Sequence, residues 1–271
     1  MIKSLKPQRP KTVVFVQVRT GSTRFPGKIM NKIGKREIFL VQLDRMKPSK
    51  SADQIVVVTT VKKRDDVIVR LCRKNKIPYF RGSEEDLLDR YYQAAKKFKA
   101  ELVVKIPSDE PLMDADVMDT VIREMHQNLD KYDFVSNLHP PSYPDGLDVE
   151  IMTFKALEIA WKKAKKPYER EHLTPYIWDN PGLFRVGNVA NKYGDMFMTH
   201  RWTLDYPEDF NFFKAVFSSF KNKNKFKMED ILKLLDKHPE IAAINTKHMG
   251  INWFRHVGDQ LKTVDSKFYR K

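Results

Sequence analysis

The chain has 271 residues, 41% of them hydrophobic, with 50 Lys and Arg against 35 Asp and Glu for a net charge of +15. That is enough apolar material for one large α/β domain or two small ones, and no run approaches the eighteen apolar residues of a membrane span. A lone cysteine, Cys72, excludes an internal disulfide and points to a cytoplasmic protein.

The charge favours polyanionic partners, but the lysines are spread through nearly every expected helix. Zinc-finger spacing, an RNP-type aromatic strand and a basic-region helix are all missing, so a nucleotide or an acidic metabolite explains the charge as well as nucleic acid does. Residues 1–11 are basic, contain proline and lack the apolar run of a secretory signal, and read as a short tail.

The β-branched run over 12–18 predicts a buried strand. It opens into Gln17-Val-Arg-Thr-Gly-Ser-Thr-Arg-Phe-Pro-Gly-Lys28, which sets Arg19, Arg24 and Lys28 among Gly21, Pro26 and Gly27. Glycine and proline hold such a loop in a sharp, exposed path. Its three cations and the Ser22 and Thr23 hydroxyls suit a polyphosphate. Spacing excludes a P-loop: five residues separate Gly21 from Gly27, and Ile29 stands where a magnesium-binding hydroxyl belongs. The plain alternative is a solvated basic loop on a basic protein.

A helix is expected over 38–47, closed by Pro48, then a strand over 54–60. A second helix over 64–74 turns Val67, Ile68, Leu71 and Cys72 inward, so Cys72 reads as a buried structural thiol. A short strand follows at 77–80. Ser83, with Asp86 three residues on, fits a capping box for a helix carrying Leu87, Tyr91, Ala94 and Phe98 on one face. The strand at 101–106 ends in Pro107-Ser-Asp-Glu-Pro111, and a helix over 115–129 leads to a strand at 133–136. This alternation predicts an α/β fold with right-handed βαβ units and a mostly parallel sheet. Ligands of such sheets bind beyond the carboxyl ends of the strands, where the 19–28 loop, Thr59-Thr60 and Ser108-Asp109 all fall.

From 139 to 191 the pattern changes. Turn-rich 139–146 precedes a strand at 147–153, a helix at 154–165, a helical piece from 169 to 176 and a strand at 184–189. A short strand at 201–205 ends in Asp205. The helix after it carries Phe210, Phe213, Val216, Phe217 and Phe220 as a core stripe, and one more amphipathic helix spans 228–236. The stretch from 248 to 271 holds Trp253 and Phe254 but shows no period.

Asp109 and Asp205 each end a strand, and hard carboxylate oxygens at such positions suit Mg²⁺ shared with substrate phosphates. With the basic loop they make equipment for attack at phosphorus with pyrophosphate leaving. The alternative is that each caps the helix after it. His172, among Glu169, Arg170 and Glu171, reads as a ligand for an acidic acceptor, as a base, or as a surface histidine. His139, His200, His248 and His256 lack metal-site spacing.

The first loop closely resembles the Gln-Ala-Arg-Met-Gly-Ser-Thr-Arg-Leu-Pro-Gly-Lys signature of cytidylyltransferases related to spore-coat polysaccharide biosynthesis protein F. These are cousins of the CMP-KDO and CMP-sialate synthetases. Ser108-Asp-Glu-Pro111 and Leu204-Asp-Tyr-Pro-Glu-Asp209 are similar to the two metal motifs of that group. The spore-coat branch usually carries Thr-Gly-Asp-Cys-Pro at the first of them.

The resemblance runs over 12–245 and implies one nucleotide-diphospho-sugar-transferase-like (GT-A-like, Rossmann-like) domain. Within it 139–191 is an inserted acceptor and dimerisation segment, and 246–271 is an extension without a counterpart. It implies Mg²⁺-dependent transfer of CMP from CTP to an acidic sugar or a related precursor, with pyrophosphate released, by a homodimer. Arg19, Ser22, Arg24 and Lys28 inherit the triphosphate, and Asp109 and Asp205 the metal. Gln17, Gly21, Thr59, Thr60, Gly82, Ser83, Asp86 and Ser108 fall on the nucleotide side. Asp145, Asp148, Glu150, Arg170, His172 and Arg201 fall on the acceptor side.

Two other readings compete. A glycosyltransferase using a nucleotide sugar shares such a fold and carries an Asp-x-Asp motif, a spacing Asp114 and Asp116 have. A nucleic-acid-binding protein rests on charge alone and leaves the motifs unexplained.

Overall fold

In the computed structural model, which describes residues 9–221 and 225–270, strand β1 (Thr12–Gln17) lies inside a seven-stranded sheet. The tail at 1–8 and residues 222–224 of the basic 221–227 patch lie outside the described residues. A hairpin of β2 (Lys32–Ile33) and β3 (Arg36–Glu37), which no sequence period announces, leads into α1 (Ile38–Met46). Then come β4 (Gln54–Thr60), α2 (Asp66–Lys74), β5 (Tyr79–Gly82), α3 (Leu87–Phe98), β6 (Leu102–Pro107) and α4 (Ala115–Gln127). These alternate as the sequence predicts.

β7 (Phe134–Ser136), β8 (Glu150–Thr153), α5 (Phe154–Lys163), two short helices α6 (Pro167–His172) and α7 (Pro175–Trp178), and β9 (Val186–Asn188) follow. The sheet order is β5-β4-β1-β6-β8-β7-β9. β1 pairs in parallel with β4 and β6, β4 with β5 and β7 with β9, while β8 runs antiparallel between β6 and β7. The sheet is thus mostly parallel, and the 139–191 stretch supplies two of its strands.

Residues of β1 alternate between two apolar layers. Val13 and Phe15 pack with Leu88, Tyr91 and Ala95 of α3 and Leu157 of α5. Val14 and Val16 face Phe39 and Leu43 of α1, Ile68 of α2 and Val121 and Met125 of α4. A strand covered on both faces reads as the continuous apolar run seen here. Cys72 is in the second layer, and burial pushes its thiol up to about 12, which leaves it inert at neutral pH. Helices α8 (Pro207–Ser219) and α9 (Met228–Lys237) build a third cluster, with Phe213 and Phe217 fully inside it and Phe210 and Phe220 at its edge.

Several local expectations differ. The 201–205 stretch forms no regular strand. Its backbone partners are loops: Asp145 pairs with Arg201, and Leu204 donates its N–H to the Asp109 carbonyl at 2.8 Å. Pairing at 147–153 begins only at Glu150. Before it, Gly146 sits at φ 118° so close to residue 202 that a Cβ would lie 2.3 Å from the Trp202 carbonyl oxygen. The helical piece at 169–176 breaks at Leu173 (φ 73°) into α6 and α7. Among the described residues no helix is long and apolar enough to cross a membrane.

Candidate active site

Beyond the carboxyl ends of β1 and β6 lies a cleft of about 400 Å³. The 19–28 loop forms one wall and the turn after β6 the floor. At its centre Lys28 Nζ donates to Asp109 Oδ2 at 2.6 Å and to Asp205 Oδ1 at 2.8 Å. Arg24 Nη2 donates to the same Asp205 oxygen at 2.6 Å. The two carboxylates, 96 positions apart in the chain, meet because Leu204 is hydrogen-bonded to the backbone of Asp109.

Neither carboxylate caps a helix. α8 is capped by Asp209, whose Oδ2 accepts the Asp205 and Tyr206 N–H groups, each at 2.9 Å. α4 is capped by Asp114, which accepts from Asp116 N and also from Met228 N at the start of α9. Asp116 pairs with Lys227 at the surface. The Asp-x-Asp spacing that suggests a glycosyltransferase is therefore spent on helix starts, and neither residue lines the cleft.

Burial raises the Asp205 carboxyl, but Lys28, Arg24 and Arg201 outweigh it and hold the group well below the usual carboxylate range. For Lys28, burial opposes the charge, yet Asp109 and Asp205 prevail and its pKa is raised. Asp205 is thus an anion and Lys28 a cation throughout the neutral range. Deeper in the floor the balance is reversed. Burial, with Asp148, Asp109 and Asp145 nearby, drives Glu110 well above its usual range. Burial and Glu150 push Asp148 up to about 7. Lys105 of β6 forms a buried ion pair with Glu150 of β8.

Gln17, Arg19, Gly21, Ser22, Arg24, Lys28, Ser108, Asp109, Asp205, Asp145, Asp148, Glu150 and His172 all line the cleft. Seven other expected site residues do not, and most have structural partners. Thr60 donates its hydroxyl to the buried Asp65, which also receives the Thr20 N–H at 2.8 Å and hydroxyl at 2.7 Å, so Thr60 braces the loop from behind. Thr59 is buried beside it. Ser83 accepts the Asp86 N–H at 3.1 Å. It is Asp86, not Ser83, that caps α3, accepting from Asp89 N at 2.8 Å. The other Asp86 oxygen takes Arg170, whose Nη1 also donates to the Trp161 carbonyl at 2.7 Å. Those two residues, expected on the nucleotide and acceptor sides, are therefore tied to each other.

Arg201 is fully buried and grips Asp209 with two hydrogen bonds of 2.9 and 3.0 Å. It lies 3.6 Å from Asp205 and 3.5 Å from Asp145, so it positions carboxylates instead of meeting a ligand. Gly82 stands where a Cβ would come 2.9 Å from the Arg90 Cγ. Its role is to let Arg90 into the cleft wall.

Arg90 is a cleft residue that the motifs do not mark. It is buried on α3, its Nε and Nη1 find no hydrogen-bond acceptor, and burial lowers its pKa to about 10. Its signal in the sequence is a charge three residues after Leu87 on an otherwise apolar helix face. Lys105 interrupts a buried strand in the same way. His172 is no surface histidine: it stacks on Trp253 at 4.2 Å and 24°. Burial, with Lys105, Arg19 and His256 near it, pushes the imidazole down to about 3, so it is neutral. Asn252, Trp253 and His256, from a stretch without period, complete that wall.

A basic loop over β1 and a carboxylate pair at the ends of two distant segments make a cleft chemically suited to phosphate groups, on the α/β fold of a nucleotidyltransferase. The chain belongs to the cytidylyltransferase family, whose model matches residues 13–257, and it is a CTP-dependent nucleotidyltransferase. A cytidylyltransferase of known structure from Leptospira borgpetersenii superposes with a TM-score of 0.82 at 34% identity, covering 86% of this chain and 97% of that one. Spore coat polysaccharide biosynthesis protein SpsF of Bacillus subtilis is 28% identical over 84% of this chain and 95% of its own length. A 3-deoxy-manno-octulosonate cytidylyltransferase of Chlamydia trachomatis is 26% identical over 63% of this chain and 66% of its own.

Proposed function

We propose that the chain transfers CMP from CTP to an acidic sugar or a related acceptor, releasing pyrophosphate, in the synthesis of a surface polysaccharide or glycoconjugate, and that Mg²⁺ assists. The observation that carries this reading is the convergence of Arg24, Lys28, Asp109 and Asp205 on one point above β1 and β6. The acidic acceptor draws support from the two curated relatives, whose names specify a coat polysaccharide and 3-deoxy-manno-octulosonate.

Two carboxylates that already share one cation are a hard-oxygen donor pair of the kind Mg²⁺ takes together with phosphate oxygens. Asp109 and Asp205 would hold the ion. When bound, it supplies positive charge against the α-phosphate and the leaving pyrophosphate. The protein's own cations act alongside it. Lys28 and Arg24 turn from the carboxylates to the triphosphate, and Arg19, exposed on the same loop, meets it from outside. They bind and orient the α-phosphorus for attack by the acceptor oxygen. Asp148, with a carboxyl near neutrality, lines the same cleft and takes the proton when the nucleophile is a hydroxyl. A homodimer through 139–191 belongs to this proposal on the strength of the resemblance, and a cytoplasmic location on the lone cysteine Cys72.

The test is pyrophosphate release from CTP across a panel of sugar acids, neutral sugars and sugar phosphates, with and without Mg²⁺. Release with sugar acids only, abolished by chelation and by Asp109→Asn, supports the reading. Release with neutral sugars, or release unaffected by chelation, contradicts it.

A further inference from the structure

We infer that the stretch from Ile251 to His256 builds the acceptor-facing wall of the cleft, with the Trp253 indole as the platform for the acceptor's ring and His256 at its rim for an anionic group. This rests on the cytidylyltransferase reading and assigns part of the site to a stretch that no motif marks.

The wall is built, not draped. Ile251 offers its carbonyl to Arg201 Nη1 at 2.7 Å. Asn252 is buried, donates Nδ2 to the Phe268 carbonyl at 2.7 Å and accepts the Phe254 N–H at 3.1 Å. Phe254 is fully buried and meets Trp178 edge-on at 6.2 Å. Trp253, between these anchors, is left half-buried at the cleft, with His172 stacked on it at 4.2 Å and Trp178 tilted against it at 5.7 Å.

A partly exposed indole braced by other rings presents a rigid apolar surface at low entropy cost. The C–H face of a sugar ring matches such a surface. Charge around it comes from Arg19 and Lys105, countered by Glu150, which pairs with Lys105, and by Glu171, and the His256 imidazole stands beside them as a hydrogen-bonding group. A ring bearing a carboxylate or phosphate meets both features.

Most of this wall stands apart from Arg24 and Lys28. The loop with those two cations crowns β1, whereas His172 ends α6, and Lys105 and Glu150, which line the same cleft, sit on β6 and β8. On this inference the triphosphate sits over β1 and the turn after β6, and the second substrate lies toward the antiparallel strand β8. Arg201 joins the two, since one guanidinium touches Ile251, Asp209 and the surroundings of Asp205.

The experiment measures binding to the full chain of CTP with Mg²⁺, of CMP, and of CMP-N-acetylneuraminate as a CMP-linked sugar acid, on wild type, Trp253→Ala, Trp253→Phe and His256→Ala. Wild type is expected to bind the CMP-sugar at least tenfold tighter than CMP. Trp253→Ala is expected to erase that advantage while leaving CTP affinity within twofold, and Trp253→Phe to keep most of it. His256→Ala, at an exposed position, is expected to cut the advantage at least threefold and carries the test if Trp253→Ala fails to fold. Equal loss of CTP and CMP-sugar in the Trp253 variants would assign the indole to the nucleotide and overturn the inference. So would an advantage that survives in all variants, or none in wild type. Failure of wild type to bind CTP at all would sink the cytidylyltransferase reading itself, a separate outcome.

Discussion

Asp205 gives one carboxylate oxygen to two cations at once, Lys28 at 2.8 Å and Arg24 at 2.6 Å, and Lys28 reaches on to Asp109 at 2.6 Å. Lys28 and Asp205 are both largely buried, so their attraction is less screened than in a surface ion pair and removing one partner strands the other. This pairing balances the carboxylate charge from within the protein.

Removing the Lys28 charge should therefore have two opposite effects. Lys28→Met is expected to weaken CTP binding by about 10- to 100-fold, the worth of hydrogen bonds to a charged group. The same variant should bind Mn²⁺ more tightly than wild type in the absence of nucleotide, because the carboxylates lose their internal counterion. Titration calorimetry and the free Mn²⁺ resonance signal read the two effects. Unchanged or weaker Mn²⁺ binding in Lys28→Met would show that the ammonium and a divalent ion do not compete.

Arg201 is a structural test of the same region. It is fully buried against Asp209, and Asp145 and Asp205 stand within 3.6 Å. Truncating one partner of a buried ion pair strands the others, so Arg201→Leu is expected to cost about 3–5 kcal/mol. Chemical denaturation measures this. A loss below about 1 kcal/mol would mean the carboxylate cluster relaxes without it.

Gly146 carries a backbone conformation and a close approach together. A Cβ there would sit 2.3 Å from the Trp202 carbonyl oxygen at φ 118°. Gly146→Ala is expected to destabilise by about 2–4 kcal/mol and to displace the Asp145–Trp202 pairing beside Asp205. Thermal melting and CTP titration on the variant check both parts.

His172 makes stability depend on pH. Burial, with Lys105, Arg19 and His256, lowers its folded pKa to about 3 from the ordinary imidazole value of 6.5. Between those values the unfolded chain binds a proton that the folded chain refuses, so stability is full above 6.5 and falls as pH drops toward 3. The slope from this group is at most about 1.4 kcal/mol per pH unit. His172→Gln, which cannot protonate, should flatten the decline between pH 6.5 and 4.5 in denaturation experiments. An unchanged slope would place the proton uptake elsewhere.

The sequence makes β1, β4 and β6 legible because each is a buried run of β-branched residues, and the helices between them because their apolar stripes keep one period. The 19–28 loop is legible through its glycine, proline and cation spacing. The 201–205 stretch is not, because its partners are loops at 109 and 145 that no local pattern reveals. Asp86 and Arg170 look like ligand contacts by motif, yet 84 residues of separation hide that they satisfy each other. Arg90 and Lys105 are charges inside apolar patterns, a signal that is present but silent about direction. Trp253 stands in a stretch held by single anchors to Arg201 and Phe268, which leave no period to read.

The most direct test of the central claim is calorimetric titration of CTP, with ATP, GTP and UTP as controls, in Mg²⁺, on wild type and Arg24→Ala. Selective CTP binding that falls at least tenfold in Arg24→Ala is the predicted result. Equal binding of all four nucleotides, or CTP binding indifferent to Arg24, would contradict the account.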